Sequence, residues 1–102
     1  MSDLEEFIFK NKNKKVVAVQ GLGFVGSVMS MVCANAINED YAVVGVELST
    51  KKGEKIINKL NNGIFPLSCE DPKIIDYFKN SIKKGNFYAT TDEKSYAYAD
   101  VI

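Results

Sequence analysis

Gly21, Gly23 and Gly26 stand in the spacing Gly-x-Gly-x-x-Gly at the end of a short apolar run, Lys15 to Gln20, and an acid, Glu47, closes the next apolar run. Those residue types at those spacings suit an anionic dinucleotide. Gly21 lets the chain turn tightly out of a strand, Gly23 lets the backbone approach a pyrophosphate, and Gly26 lets the following helix lie close to the sheet. The first turn of that helix presents N–H groups with no intrahelical partner, together with the positive end of the helix dipole. Phosphate is therefore held without a basic side chain. Glu47 follows Gly26 by close to the roughly 20 residues that place a carboxylate at the adenosine ribose.

The elements needed to position these residues are legible around them. Val16 to Val19 carry the β-branched residues of a strand buried on both faces. Val25, Val28, Met29, Val32 and Ala36 recur at helical spacing as one apolar stripe, which reads as the helix that the motif opens. Tyr41 to Val46 reads as a second buried strand. The competing reading is a plain βαβ crossover whose glycines serve only packing.

Further along, Ser49 or Thr50 caps a second helix with Ile56, Ile57 and Leu60 inward, and Asn61-Asn62-Gly63 ends it. Asp71-Pro72 opens a third helix with Ile75, Phe78 and Ile82 inward, stopped by Gly85. Phe87 to Thr90 is a third strand, Asp92 caps a brief helix through Ala99, and Val101-Ile102 begins another apolar run. Ahead of the first strand, Ser2 and Glu5 form a capping box for a short helix with Leu4, Phe7 and Ile8 apolar. The pattern is α/β: a Rossmann-like three-layer fold with a parallel sheet, expected to be truncated after the first βαβαβ half. Residues 1–14 read as a helical extension and connector, and 15–102 as a partial dinucleotide-binding domain. Such a half would leave the outer edge of the Val16 to Val19 strand unpaired and apolar, so self-association through that edge is expected.

Composition narrows the function classes. The 102 residues, 46% of them hydrophobic, suffice for one modest core. The 13 basic and 13 acidic residues cancel, so neither nucleic acid nor an anionic membrane surface is implied as a partner, and Lys10 to Lys15 read as a solvated connector. No apolar segment has the length to span a membrane. Two distant cysteines, Cys33 and Cys69, with no histidine in the chain, give no metal site and suggest a reduced, cytoplasmic setting. Cys33 falls within the helix that the motif opens and reads as a small buried hydrophobe, and Cys69 has no activating base nearby in sequence, so neither is read as a nucleophile.

The motifs Val-Ala-Val-Gln-Gly-Leu-Gly-Phe-Val-Gly, Val44-Gly45-Val46-Glu47, Asn61-Asn62-Gly63-x-x-Pro66, Glu70-x-Pro72, Ala89-Thr90-Thr91-Asp92 and Ala99-Asp100-Val101-Ile102 occur here in one order. In that order the chain resembles the N-terminal NAD-binding part of the UDP-glucose/GDP-mannose dehydrogenase family over residues 15–102. The resemblance implies an oxidoreductase that converts the C6 hydroxyl of a nucleotide-bound hexose to a carboxylate in two NAD-dependent steps, with a nucleotide sugar as the parent's substrate. It implies backbone N–H donors at Phe24 and Val25 for the pyrophosphate, Glu47 for the ribose, and a cofactor contact from Lys52. Glu47 stands where many relatives have aspartate, and its charge favours NAD over NADP, while Lys51-Lys52 is the feature that would favour a phosphate. Cys69 looks inserted relative to the family's Pro-x-x-Glu-Pro pattern, which bears on Glu70. The family's nucleophilic cysteine and catalytic lysine lie beyond residue 102, so no catalytic residue is expected in this chain. Two other readings stay open: a non-catalytic dinucleotide-sensing Rossmann regulatory domain, and an S-adenosylmethionine methyltransferase, which the three-glycine spacing disfavours.

Overall fold

A computed structural model describes residues 2–37, 39–66 and 71–102. Its central element is β2 (Tyr41–Val46), in which Ala42 to Val46 are all buried, because helices cover the sheet on both sides. β1 (Lys15–Gln20) and β3 (Phe87–Thr90) flank it, both parallel to it, in the order β1-β2-β3. Val17 lies opposite Val43 and Val44 opposite Tyr88. The expected Rossmann-like α/β architecture is what forms.

One face of the sheet is covered by α2 (Phe24–Ala34), α3 (Lys51–Asn61) and α4 (Pro72–Lys84), which enclose a core of Leu22, Met31, Val43, Leu60, Phe78 and Phe87. On the other face lie α1 (Asp3–Lys10) and the short α5 (Ser95–Tyr98). There Leu4 and Phe7 pack with Val16, Ala42, Val44 and Val46, and the Phe7 ring stacks on Tyr88 with centroids 5.6 Å apart. The capping box of α1 is present, with Ser2 Oγ accepting from Glu5 N and Glu5 Oε1 from Ser2 N, both at 3.1 Å. The Ser2 backbone N–H, and after it the Ser2 hydroxyl, hold the Glu5 carboxyl below its ordinary value. Thr50, rather than Ser49, caps α3, and Asp71 caps α4 with Pro72 following.

Two apolar expectations are corrected. In α2, Val25, Met29 and Val32 face outward, and the inward side carries Ser27, Ser30, Met31 and Ala34. In α4, Ile82 is exposed and Ser81 takes its place against Met31. The reason is the same in both helices. A serine hydroxyl bonds a nearby carbonyl, so burying it leaves no polar atom unpaired: Ser27 donates to Leu22 O at 3.0 Å, Ser30 to Gly26 O at 2.8 Å and Ser81 to Phe78 O at 2.7 Å. Small residues on the inward side also let the helices lie close to their neighbours. Ala36 falls beyond the end of α2, and the last helix is shorter than expected, Asp92 bonding Lys94 N through its side chain before α5 begins.

The outer edge of β1 is also not bare. Val101 bridges to Val17 in parallel register, Ala18 N–H donates to Val101 O at 2.9 Å, and the Asp100 carboxylate accepts from Val16 N at 2.8 Å. Val101 thus lies parallel beside β1, on the side away from β2, as a single bridge.

At the other edge the side chain of Asn61 stands in for a neighbouring strand. Its amide donates to Ala89 O at 2.7 Å and accepts from Ala89 N at 3.0 Å. Asn61→Ala removes both bonds at once. It is expected to lower the unfolding free energy by about 1–2 kcal/mol, read as an earlier denaturation midpoint at unchanged slope. An unchanged midpoint would show that water replaces the amide without loss.

Candidate dinucleotide-binding site

The glycine-rich turn joins β1 to α2 at the C-terminal end of the sheet. Gly21 adopts φ +84°, a conformation that a side chain disfavours, while its N–H donates to Val46 O at 2.8 Å and so extends the β1–β2 pairing by one residue. Leu22 then turns inward and is fully buried, its side chain lying over Gly45 where a β-carbon would meet Leu22 Cδ2 at 2.5 Å. Gly23 is the N-cap of α2 and offers no side chain to the helix terminus. Gly26 sits so near the turn that a β-carbon there would overlap Gly21 O and stand 2.9 Å from Gly21 C. Its lack of a side chain is what brings the helix end against β1.

The consequence is an exposed donor array. The N–H groups of Phe24, Val25 and Gly26 belong to the first turn of α2, which has no side-chain cap and no acidic residue. The Phe24 and Val25 side chains are exposed, so what these positions bring to the site is backbone. The positive end of the α2 dipole is left unneutralised by its own sequence.

Glu47 closes the site from the end of β2. Its Oε1 accepts from Leu22 N and its Oε2 from Leu48 N, each at 2.8 Å, while its own N–H donates to Thr90 O at 3.0 Å. One carboxylate therefore ties the glycine turn to the β2–α3 loop. Each oxygen keeps a further lone pair, so hydroxyl groups remain acceptable partners. Two cavities lie beside it. One, of about 270 Å³, is lined by Gly23, Glu47, Leu48, Thr50, Lys52, Gly53 and Ile56, and it brings Lys52 to the same concavity as the glycine turn. The other, of about 320 Å³, lies over the ends of all three strands between Gln20, Gly21, Val46, Leu48, Thr91 and Tyr96. Burial, then the charges of Glu93 and Glu47, push the Tyr96 hydroxyl above its ordinary pKa.

All seven residues singled out in the sequence, Gly21, Gly23, Phe24, Val25, Gly26, Glu47 and Lys52, thus gather at one end of the sheet. Sequence reading missed Leu22, Gly45, Gly53, Thr91 and Tyr96. The two glycines were visible but are assigned a task only by what packs on them, and Tyr96 is far along the chain from the turn it faces. Cys33 is half-buried and its thiol is pushed up by burial, the opposite of an activated nucleophile. Cys69 and Glu70 lie outside the described residues. Among the described residues no cluster of three metal-ligating side chains occurs, and no helix is long and apolar enough to cross a membrane.

Comparison with known proteins agrees with this geometry. Residues 15–102 match the model of the UDP-glucose/GDP-mannose dehydrogenase family, NAD binding domain. The chain is similar to the structure of an NDP-N-acetyl-D-galactosaminuronic acid dehydrogenase from Methanosarcina mazei Go1, at 29% identity and TM-score 0.77 over 99% of this chain and 21% of that one. It shares its fold with a UDP-glucose dehydrogenase from Pyrobaculum islandicum (22% identity, TM-score 0.69, 85% and 18% covered). The same holds for a GDP-mannose dehydrogenase from Pseudomonas aeruginosa (24% identity, TM-score 0.64, 84% and 19% covered). The chain spans about a fifth of the length of these solved proteins. No curated protein sequence matches it.

Gly26→Ala tests the close approach of α2. Because the added carbon meets backbone rather than a movable side chain, the helix end must retreat from Gly21, and a loss of about 1–3 kcal/mol is expected despite alanine's better helix propensity. A variant that melts at or above the wild-type temperature would show that the helix end has room to move.

Proposed function

This chain belongs to the UDP-glucose/GDP-mannose dehydrogenase family, supplying its NAD-binding domain, and we propose that it holds NAD along the line from the α2 N-terminus to Glu47 as part of an enzyme that oxidises a nucleotide sugar. NAD is the domain's cofactor, and its chemistry when bound is to accept hydride. The observation that carries the site assignment is the uncapped first turn of α2 beside a carboxylate that already reaches into the same turn. The residues fit the group. Phe24, Val25 and Gly26 supply N–H donors for the pyrophosphate, Gly21 and Gly23 clear the approach, and Glu47 accepts from the adenosine ribose hydroxyls. Lys52, at the rim of the smaller cavity, faces the same ligand. The cavity walled by Val46, Leu48 and Tyr96 offers apolar surface to the adenine ring.

The substrate class proposed for the parent enzyme is a nucleotide-bound hexose, as in the UDP-glucose and GDP-mannose enzymes, with the C6 hydroxyl taken to a carboxylate. The residues of this chain bind and orient the cofactor, and none of them is assigned a catalytic role. A cytoplasmic setting belongs to the same reading and is supported by the free Cys33.

Self-association is proposed through the β1 edge. What supports it is the apolar surface beside that edge, where Val25, Met29, Val32 and Ile102 are exposed around the start of the next strand.

Two measurements test these proposals. In a calorimetric titration NAD is expected to bind and NADP not to, because the Glu47 carboxylate repels a 2′-phosphate. Binding of NADP with none of NAD would overturn the assignment of Glu47. In sedimentation at micromolar concentrations a dimer or larger species is expected, and a monomer throughout would remove the edge proposal.

A further inference from the structure

Gly53 is the third residue of α3, a helical position at which glycine is among the poorer choices. Its φ is not positive, so the backbone does not demand it. Space does. A β-carbon at 53 would overlap the Leu48 carbonyl oxygen and stand 3.1 Å from Glu47 Cγ and 3.2 Å from Thr50 Oγ1. The side chain that Gly53 lacks is therefore replaced by the last methylene of Glu47 and the backbone that follows it. From that place Glu47 extends to Leu22 N. An aspartate has no such methylene and ends one carbon short.

We infer that Gly53 is a positioning residue of the cofactor site: by leaving room for the Leu48 carbonyl and, beside it, Glu47 Cγ, it lets the carboxylate reach Leu22 N–H and hold the glycine turn in its binding shape before any cofactor arrives. The functional part of this rests on the NAD reading above. The chain of cause runs through three residues. Gly53 sets where the Glu47 side chain lies, Glu47 fixes Leu22, and Leu22, anchored over Gly45, fixes the turn whose next residues open α2. A turn already held in place loses less freedom when a ligand binds.

Hydrogen exchange in the free chain reads the first two links directly. The Leu22 amide is expected to exchange slowly in the wild type and on the order of tenfold faster in Glu47→Ala, the size expected for losing a bond to a carboxylate. Gly53→Ala is expected to reproduce that acceleration while amides at the centre of β2 stay protected, and to weaken NAD binding by a similar factor. Glu47→Asp keeps the charge, leaves Gly53 in place and shortens the reach, so it too should release the Leu22 amide. A folded Gly53→Ala with Leu22 exchanging as in the wild type would overturn the proposal. So would Glu47→Asp with Leu22 fully protected, a result that does not depend on whether Gly53→Ala folds. Protected Leu22 in a wild-type chain that fails to bind NAD would count against the NAD reading alone and leave the positioning role of Gly53 standing.

Discussion

The first turn of α2 presents three N–H groups that no described side chain caps, and much of the local structure follows from keeping that turn both open and fixed. Openness comes from Gly23 at the N-cap, where serine or aspartate would satisfy one of the donors from within. Fixity comes from Gly26, which lets the helix end rest on Gly21, and from Leu22, whose side chain is driven into the core over Gly45. The carboxylate of Glu47 then bonds the Leu22 N–H, while the Gly21 N–H bonds Val46 O of β2. Polar groups of the turn are thereby divided into those satisfied internally and those of the first helical turn that no described side chain caps.

The helix faces show what sequence periodicity does and does not record. The apolar stripe of α2 at Val25, Met29 and Val32 is real, yet it is not the side that meets the core. The inward side needs small residues so that the helix can approach the sheet as closely as Gly26 already requires, and Ser27 and Ser30 meet that need while returning their hydroxyls to carbonyls of the turn and the helix. Ser81 on α4 does the same where that helix crosses Met31. Hydrophobicity ranks a valine above a serine, but a close crossing ranks them by volume.

The parallel sheet, its three strands, the capping residues Ser2 and Asp71, Thr50 as one of two candidate caps, and the pairing of the glycine motif with Glu47 were legible from residue type and spacing, whereas Lys52 was implied by the family resemblance. Those features rest on local geometry: a strand's run of β-branched residues, a cap's short polar side chain, a turn's need for glycine. What stayed hidden depends on residues distant in sequence. Asn61 reads as the end of a helix until β3 is placed beside it and its amide becomes the missing partner of Ala89. Gly53 reads as a flaw in a helix until the Leu48 carbonyl oxygen, with Glu47 Cγ beside it, is seen lying where its side chain would be.

Charge explains why so much depends on placement. With 13 basic and 13 acidic residues and none of either sign in the first turn of α2, the chain sets up no broad field to draw an anionic cofactor in. In the proposed site the pyrophosphate is held by the helix dipole and the N–H groups, whose influence falls off within about one turn of the helix, with Lys52 at the cavity rim as the single basic side chain. An interaction of such short range is strong only if the donors already stand where the phosphate oxygens will be. A basic side chain could swing to meet a misplaced phosphate, but a backbone N–H cannot. In the proposed site the glycines, the buried Leu22 and the reach of Glu47 therefore act through geometry, by fixing donors that have no freedom to adjust.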